Sequence, residues 1–281
     1  MKTSLPQNTD RLLSLSSYDR GFAVHSASMA DPRFSYSLYV PDRALEADSK
    51  PTLIVSVHGT GRDFVPTLHA LAPFARRHNC VVLCPLFPAG VRGDRNLHGY
   101  KYLLEGDIRY DRVLLDMIDE VAGRYGADFN RFALCGFSGG GHFVHRFLLL
   151  HPQLLLACSI GAPGSVTLID DRRQWWVGTG DIESMFAVKL DLDALRRVPV
   201  HMAVGSEDTE TAEITHQPGG RYWMAGANDA GKTRPERLAA LKKSFQAQGI
   251  DCSLTVMAGA GHDGARYDAE AEAFFSRVLF S

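Results

Sequence analysis

The chain has 281 residues, of which 45% are hydrophobic and 22% are charged, and its formal net charge at pH 7 is −2. This composition excludes an intrinsically disordered chain, and the absence of a long tract of one charge sign argues against nucleic acid or an anionic membrane as a partner. The longest apolar run, Leu148 to Ala162, contains His151, Pro152 and Gln153 and therefore cannot span a bilayer. The N-terminal residues lack the apolar segment of a signal peptide, so we expect a cytoplasmic protein.

The predicted elements form an alternation of short apolar strands and amphipathic helices. The predicted strands are Phe22–Ser28, Ser35–Pro41, Thr52–Val57, Val81–Leu86, Arg131–Cys135, Leu156–Ile160, Val198–Val204 and Cys252–Met257. The predicted helices are Leu68–Arg77, Tyr110–Tyr125, Gly140–Leu150, Arg234–Gln248 and Tyr267–Leu279. We expect the first two strands to form a hairpin at one sheet edge. Fully apolar strands that alternate with helices indicate an α/β fold, with a mostly parallel sheet covered by helices on both faces.

Two stretches do not fit the alternation, namely Gly164–Arg197 and Glu207–Lys232. Each follows a predicted strand, so each is expected at the carboxyl edge of the sheet, where open α/β sheets bind ligands. No linker or repeat divides the chain. We therefore predict a single domain over residues 1–281, with lid-like insertions at about 164–197 and 207–232 above the active site.

The five cysteines indicate a reduced protein. Most of them lie in short apolar runs, and no pair has the CxxC spacing of a zinc site; they are Cys80, Cys84, Cys135, Cys158 and Cys252. We interpret them as small hydrophobic residues packed in strands.

The strongest chemical motif is GFSGG at Gly136–Gly140, which lies between a predicted strand and a predicted helix. A serine at such a sharp turn projects its hydroxyl above the sheet, and the start of the following helix favours developing negative charge. A plain glycine turn is the alternative interpretation. A phosphate loop fits less well, because the glycines are not followed by the Lys-Ser/Thr pair that such a loop needs. The motif predicts Ser138 as a nucleophile.

A serine nucleophile needs a base, and the chain has 11 histidines. His262 follows the last predicted strand, precedes the last helix and is flanked by small residues. Of the histidines, only His216 and His262 follow a plausible acid in the chain order Ser, acid, His. We predict His262 as the base, with a locally hydrogen-bonded loop histidine as the alternative.

The acid that orients the imidazole is expected after the penultimate strand, in the GSED turn at Gly205–Asp208. Asp208 is the predicted residue, and Glu207 is the neighbour most easily confused with it. Asp170 and Asp171 are more distant alternatives. A purely structural interpretation is that Glu207 and Asp208 only stabilise the turn.

Acyl chemistry also needs two N–H donors for the oxyanion. Gly139, the residue after the nucleophile, supplies one, and the loop HGTG at His58–Gly61 should supply the other. Thr60 is the predicted second donor, with Gly61 as the alternative.

These motifs together resemble the α/β-hydrolase superfamily, and the resemblance runs from about Ser35 to the C-terminus. Within it, the segment Tyr110–Tyr125 before the elbow and the tripeptide Ala162–Gly164 make the chain most similar to the polyhydroxybutyrate-depolymerase and esterase-like branch. The resemblance implies an eight-stranded, mostly parallel sheet and hydrolysis through an acyl-enzyme, without a metal or cofactor.

Several further residues are candidates for the substrate pocket. His58, Phe137, Trp175 and Trp176 are expected to line it, because aromatic side chains dominate concave ligand sites; a lid core around the tryptophans is the alternative. Arg92, Arg95 and Lys101 follow a strand and could bind an anionic group, although Asp94 partly offsets them. His142 and His145 lie three apart on a helix, but without a third metal ligand we interpret them as packing residues.

The sequence thus predicts a serine hydrolase that cleaves a carboxylic ester, or a related small-molecule acyl compound, through an acyl-enzyme. A serine peptidase, amidase or thioesterase would use the same residues, and an idle hydrolase scaffold that binds a ligand is the non-enzymatic alternative. We expect no cofactor, no metal, no nucleic acid and no membrane partner.

Overall fold

The computed structural model describes residues 15–46 and 48–281. Its strands are β1 Gly21–Phe22, β2 Ser26–Ala27, β3 Ser35–Val40, β4 Thr52–Val57, β5 Cys80–Leu86, β6 Leu104–Glu105, β7 Ile108–Arg109, β8 Phe132–Phe137, β9 Leu155–Gly161, β10 Val200–Gly205 and β11 Cys252–Met257. Its α-helices are α1 Phe64–His78, α2 Tyr110–Tyr125, α3 Gly139–Leu150, α4 Ile182–Phe186, α5 Leu192–Arg196, α6 Arg234–Ala247 and α7 Gly264–Leu279.

Eight strands of the central sheet follow the order β1-β3-β5-β4-β8-β9-β10-β11, and a ninth, the short β2, pairs with β3 beside β1. All neighbours from β5 to β11 in this order are parallel, whereas β3 is antiparallel to β5, β1 and β2. The short strands β6 and β7 form a separate antiparallel ribbon. The predicted α/β class and the mostly parallel eight-stranded sheet are therefore confirmed.

Alternate residues along the strands face two separate cores. On one face, Val55 and Leu134 belong to the larger cluster, which includes buried side chains of α2, α3 and α6. On the other face, Ile54 and Ala133 pack with buried residues of α1 and α7. Helices thus cover both faces, and this explains why the central strands are apolar without alternation.

The N-terminal part of the sheet departs from the prediction. Phe22–Ser28 is not one strand, because Val24 turns its N–H to the carbonyl of Tyr18 and separates β1 from β2. Helix α1 begins at Phe64 rather than Leu68, and it includes Pro66 in its first turn, where a missing N–H costs no helical hydrogen bond.

The two stretches outside the alternation differ in character. Segment 164–197 contains α4 and α5 and contributes Val166, Trp175 and Trp176 to the core. Segment 207–232 has no helix or strand and runs along the carboxyl edge of the sheet. Within the described ranges, no helix has the length and apolar character needed to cross a membrane.

Candidate active site

Ser138 lies at the turn between β8 and α3 with φ 55° and ψ −114°. This backbone conformation is rare for a residue with a side chain, and it persists here because the Ser138 N–H donates to the carbonyl of Gly161 at 2.8 Å. The residue borders a cavity of about 380 Å³ at the carboxyl edge of the sheet. The structure thus gives Ser138 the strained, projecting position expected of a nucleophile elbow.

The glycines of the elbow are required by close backbone approach. A Cβ on Gly140 would run into the carbonyl of Val57 on β4, and one on Gly141 would run into the carbonyl of Gly161 on β9. Helix α3 therefore starts in direct contact with both neighbouring strands, which directs its N-terminal N–H groups at the cavity edge.

Asp208 and His262 are joined by a hydrogen bond of 2.6 Å between Oδ2 and Nδ1. A backbone hydrogen bond connects the turn after β10 to the loop after β11, since the Glu207 N–H donates to the carbonyl of Ala260 at 2.8 Å. Asp208 is buried, whereas the Glu207 side chain is exposed to solvent. Of the four acids considered from the sequence, the structure brings Asp208 to the imidazole, whereas Asp170 pairs with Arg172 and Arg173.

The His262 ring packs against Phe137, the residue directly before Ser138, with 4.5 Å between ring centroids. Its side chain is 31% exposed, and no described residue hydrogen-bonds to its Nε2 atom or to the Ser138 hydroxyl. Such catalytic hydrogen bonds are often long in ligand-free enzymes and tighten when substrate binds. The His262 ring thus lies beside the elbow, and its Nε2 has no hydrogen-bond partner among the described residues.

Asp208 has a second partner, Arg234, which the sequence analysis did not identify. Arg234 Nη1 donates to Asp208 Oδ1 at 2.9 Å, and Nη2 donates to Glu213 at 2.9 Å. Burial alone would raise the pKa of Asp208, but the hydrogen bonds and charges of His262 and Arg234 outweigh it and hold this pKa below its usual value. The ionised carboxylate can only accept, so it fixes the proton on Nδ1 of His262.

The oxyanion donors proposed from the sequence lie close together. The Thr60 nitrogen is 2.9 Å from the position that a Cβ on Gly139 would take. Arg62 donates to the carbonyl of Thr60 at 2.5 Å and so fixes the orientation of this peptide. Thr60 borders the cavity, whereas the alternative, Gly61, is exposed and lies outside the cavity wall. The geometry favours Thr60 and Gly139 as the pair of donors.

None of the four residues expected to line the substrate pocket borders the cavity beside Ser138. His58 and Phe137 border a second cavity of about 390 Å³, which lies between α1 and the start of α7. His58 is buried, accepts from the Phe87 N–H at 3.0 Å, and burial lowers its pKa to about 3. The Phe137 ring supports His262. Trp175 and Trp176 are buried, and their indole N–H groups donate to the carbonyls of Tyr102 and Tyr222, both at 3.0 Å.

Most of the wall of the cavity beside Ser138 comes from two other regions. The segment Asp94–Tyr102 forms one side, and Glu213–Trp223 of the second insertion forms the other. Of the three cations considered for anion binding, Arg95 and Lys101 lie in this wall, while Arg92 pairs with Asp107 instead. From the first insertion, Gly164 alone reaches the cavity.

The remaining histidines of interest have structural contacts. His142 Nε2 accepts from the Gly164 N–H at 2.7 Å, and His145 bridges Gly141 and Thr167. His216, the alternative base, packs against Trp176 with 4.7 Å between ring centroids and an angle of 43° between the ring planes. In the described part of the chain, no group of His, Cys, Asp and Glu side chains is arranged to hold a metal ion.

No protein-family model matches the chain, and no curated protein matches it in sequence. Solved structures do resemble it. A poly(aspartic acid) hydrolase from Sphingomonas sp. KT-1 has a TM-score of 0.69 and 18% identity over 85% of this chain and 92% of its own. A poly(3-hydroxybutyrate) depolymerase from Bordetella parapertussis has a TM-score of 0.68 and 21% identity over 86% of this chain and 83% of its own. An S-formylglutathione hydrolase from Agrobacterium tumefaciens has a TM-score of 0.58 and 16% identity over 91% of this chain and 94% of its own. Together with the sheet order and the elbow, these similarities show that the chain has the α/β-hydrolase fold.

Proposed function

We propose that this protein is a serine hydrolase that cleaves a carboxylic ester, or a related acyl compound, through an acyl-enzyme intermediate. The observation that carries the proposal is the arrangement at one sheet edge of a strained Ser138, a His262 ring oriented by Asp208, and the paired N–H groups of Thr60 and Gly139. The similar solved structures include esterases and other hydrolases, which supports the same class of reaction.

In the first half-reaction, His262 Nε2 removes the Ser138 proton as Oγ bonds to the carbonyl carbon. The carbonyl oxygen becomes an oxyanion, which the N–H groups of Thr60 and Gly139 stabilise. Asp208 keeps the imidazole in the required tautomer and stabilises the imidazolium. When the bond to the leaving alcohol breaks, the imidazolium gives that oxygen its proton.

In the second half-reaction, water takes the place of the alcohol. His262 accepts a proton from the water as its oxygen attacks the acyl-enzyme, the same donors hold the second oxyanion, and Ser138 leaves with its proton restored. The products are the carboxylic acid and the regenerated enzyme.

The test is labelling with a fluorophosphonate probe, followed by peptide mapping and by ester turnover. We expect the label on Ser138, and we expect Ser138→Ala to lose the label and to lower kcat by several orders of magnitude while the fold is retained. Ser253→Ala, which removes a solvent-exposed hydroxyl on β11, is the matched control. Persistent labelling or unchanged ester turnover in Ser138→Ala would remove the proposal.

A further inference from the structure

Lys101 is a buried cation beside the candidate nucleophile. It is 7% exposed, it borders the same cavity as Ser138, and it forms no ion pair or side-chain hydrogen bond with any residue in the described ranges. Its Cε atom is 3.1 Å from the position that a Cβ on Gly139 would take. The ammonium group therefore lies next to the place where the acyl group on Ser138 would be held.

The position of Lys101 is fixed by its backbone. It lies in the 3₁₀ helix Gly99–Tyr102, and its carbonyl accepts from Arg146 Nη1 at 2.6 Å. Tyr100, one residue earlier, donates its hydroxyl to the carbonyl of His58 at 3.2 Å. The short helix is thus tied both to α3 and to the loop that carries Thr60.

The charges around Lys101 leave the cavity positive. The two acids in the wall have arginine partners: Asp94 pairs with Arg221, and Glu213 pairs with Arg234, which it shares with Asp208. The wall residues Arg95 and Lys101 have no carboxylate partner among the described residues. Behind the wall, Arg146 is buried and its guanidinium hydrogen-bonds only to uncharged groups among the described residues. Buried cations without a carboxylate partner are costly, and a bound anion would offset that cost.

The cavity lies on the acyl side of the reaction. The leaving alcohol must be near His262, which protonates it, yet His262 is not part of the cavity wall. Ser138, Thr60 and Lys101 do form part of it. A group that fills the cavity is therefore attached to the carbonyl carbon and stays on the enzyme after the alcohol has left.

We propose that the substrate's acyl part carries a carboxylate, and that Lys101 binds this carboxylate in the cavity. The inference rests on the serine-hydrolase function proposed above and narrows its substrate class to half-esters of short dicarboxylic acids. Lys101 binds through a charge-assisted hydrogen bond, which a neutral acyl chain of the same length cannot form.

The experiment compares methyl succinate with dimethyl succinate, which share the acyl skeleton and differ in one charge, by following methanol release. After correction for the two equivalent ester groups of the diester, we expect kcat/KM to be about 10- to 100-fold higher for the half-ester. Acetoxyacetate carries its carboxylate on the alcohol side and releases acetate and glycolate, so its hydrolysis is followed by acid release; its kcat/KM should stay below that for methyl succinate. Equal rates for the two succinates, or a preference for acetoxyacetate, would overturn the proposal.

The Lys101→Met variant tests the residue itself. Methionine keeps the length and apolar stem but removes the charge, so the ratio of the two kcat/KM values should fall about tenfold or more. Lys243→Met, at an exposed site on α6, is the matched control and should keep the wild-type ratio. An equal loss of kcat/KM for both succinates would mean that Lys101 supports the reaction itself rather than binding the carboxylate. That result would also overturn the proposal. If no ester is turned over by the wild type, the serine-hydrolase function has failed instead.

Discussion

Arg234 and Asp208 form an ion pair beneath the protein surface, with 2.9 Å between Nη1 and Oδ1 and side chains that are 3% and 1% exposed. The same carboxylate holds His262 through its other oxygen. The guanidinium therefore determines where the carboxylate stands, and the carboxylate determines how the imidazole is oriented.

Replacing Arg234 with methionine should lower both stability and turnover. The change leaves a buried carboxylate with one partner fewer, for which we expect a loss of about 3 kcal/mol in the free energy of unfolding. A displaced Asp208 should also lower kcat by about ten- to a hundredfold. Urea denaturation and steady-state kinetics check both effects. Arg112→Met, at an exposed position of α2, is the control, and an unchanged kcat in Arg234→Met would contradict a positioning role.

The destabilisation of Arg234→Met should depend on pH in a defined direction. Because the pKa of Asp208 is lowered in the folded state, its pairing contributes stability that is fully present above its unfolded pKa of about 4. That contribution is lost as pH falls further and the carboxylate becomes protonated. The difference in unfolding free energy between wild type and variant should therefore be constant from pH 5 to 7 and shrink below about pH 4. A difference that grows under acid would contradict this assignment.

Asp208→Asn, compared with a change at Glu207, separates the two neighbouring acids of the GSED turn. The amide retains the size of the side chain but no longer fixes the proton on Nδ1, so kcat should fall by about 10³- to 10⁴-fold. Glu207→Gln alters an exposed side chain in the same turn and should change kcat by less than about twofold. Comparable losses in the two variants would mean that the turn as a whole, rather than Asp208, supports activity.

The residues that could be located from the sequence are those fixed by strand ends. Ser138, Asp208 and His262 each follow an apolar strand, and the carboxyl ends of parallel strands meet at one edge. The fold class followed from the same alternation of strands and helices. What local pattern cannot give is the tertiary environment of a side chain. Trp175 and Trp176 were expected in the pocket because aromatic side chains dominate concave ligand sites, but they pack in the core, which was the alternative.

The cations of the site were harder to assign for a related reason. Arg234 is the first residue of α6, and its approach to Asp208 depends on how segment 207–232 returns to the sheet. Lys101 was one of three basic residues in a loop, and only the packing of that loop against α3 distinguishes it from Arg92. The only feature of the sequence that could have pointed to Arg234 was its position at the start of a helix predicted to begin at the carboxyl edge of the sheet.

The proposed oxyanion donors, Thr60 and Gly139, can be tested by placing a methyl group between them. In Gly139→Ala, the new methyl group would collide with the Tyr100 hydroxyl and lie 2.9 Å from the Thr60 nitrogen, so the two donors could no longer converge. We expect kcat to fall at least about 100-fold, the usual effect of losing one donor. Gly123→Ala is the control: a Cβ there meets no neighbouring atom, and alanine should stabilise α2 by about 0.5–1 kcal/mol. Wild-type kcat in Gly139→Ala would place the oxyanion elsewhere.

The preference for an anionic acyl group should depend on pH through Lys101. Burial lowers the pKa of this ammonium to about 7, an effect that Arg62, Arg146 and Arg234 increase and Glu213 opposes. The histidines of the cavity wall are neutral in this range, because burial lowers the pKa of His98 and His216 to about 4 and that of His142 well below its usual value. Lys101 is therefore the cavity group expected to change charge near neutral pH.

The sign of the effect follows from the charge on each partner. The carboxylate of methyl succinate is ionised from about pH 6 upwards, whereas Lys101 loses its proton as pH rises through about 7. The ratio of kcat/KM for methyl succinate to that for dimethyl succinate should consequently be highest near pH 6 and fall towards pH 8.5. An effect of pH on the reaction steps that the two substrates share cancels in the ratio. In Lys101→Met the ratio should be low and independent of pH, and a wild-type ratio that is constant or rises with pH would show that another group binds the carboxylate.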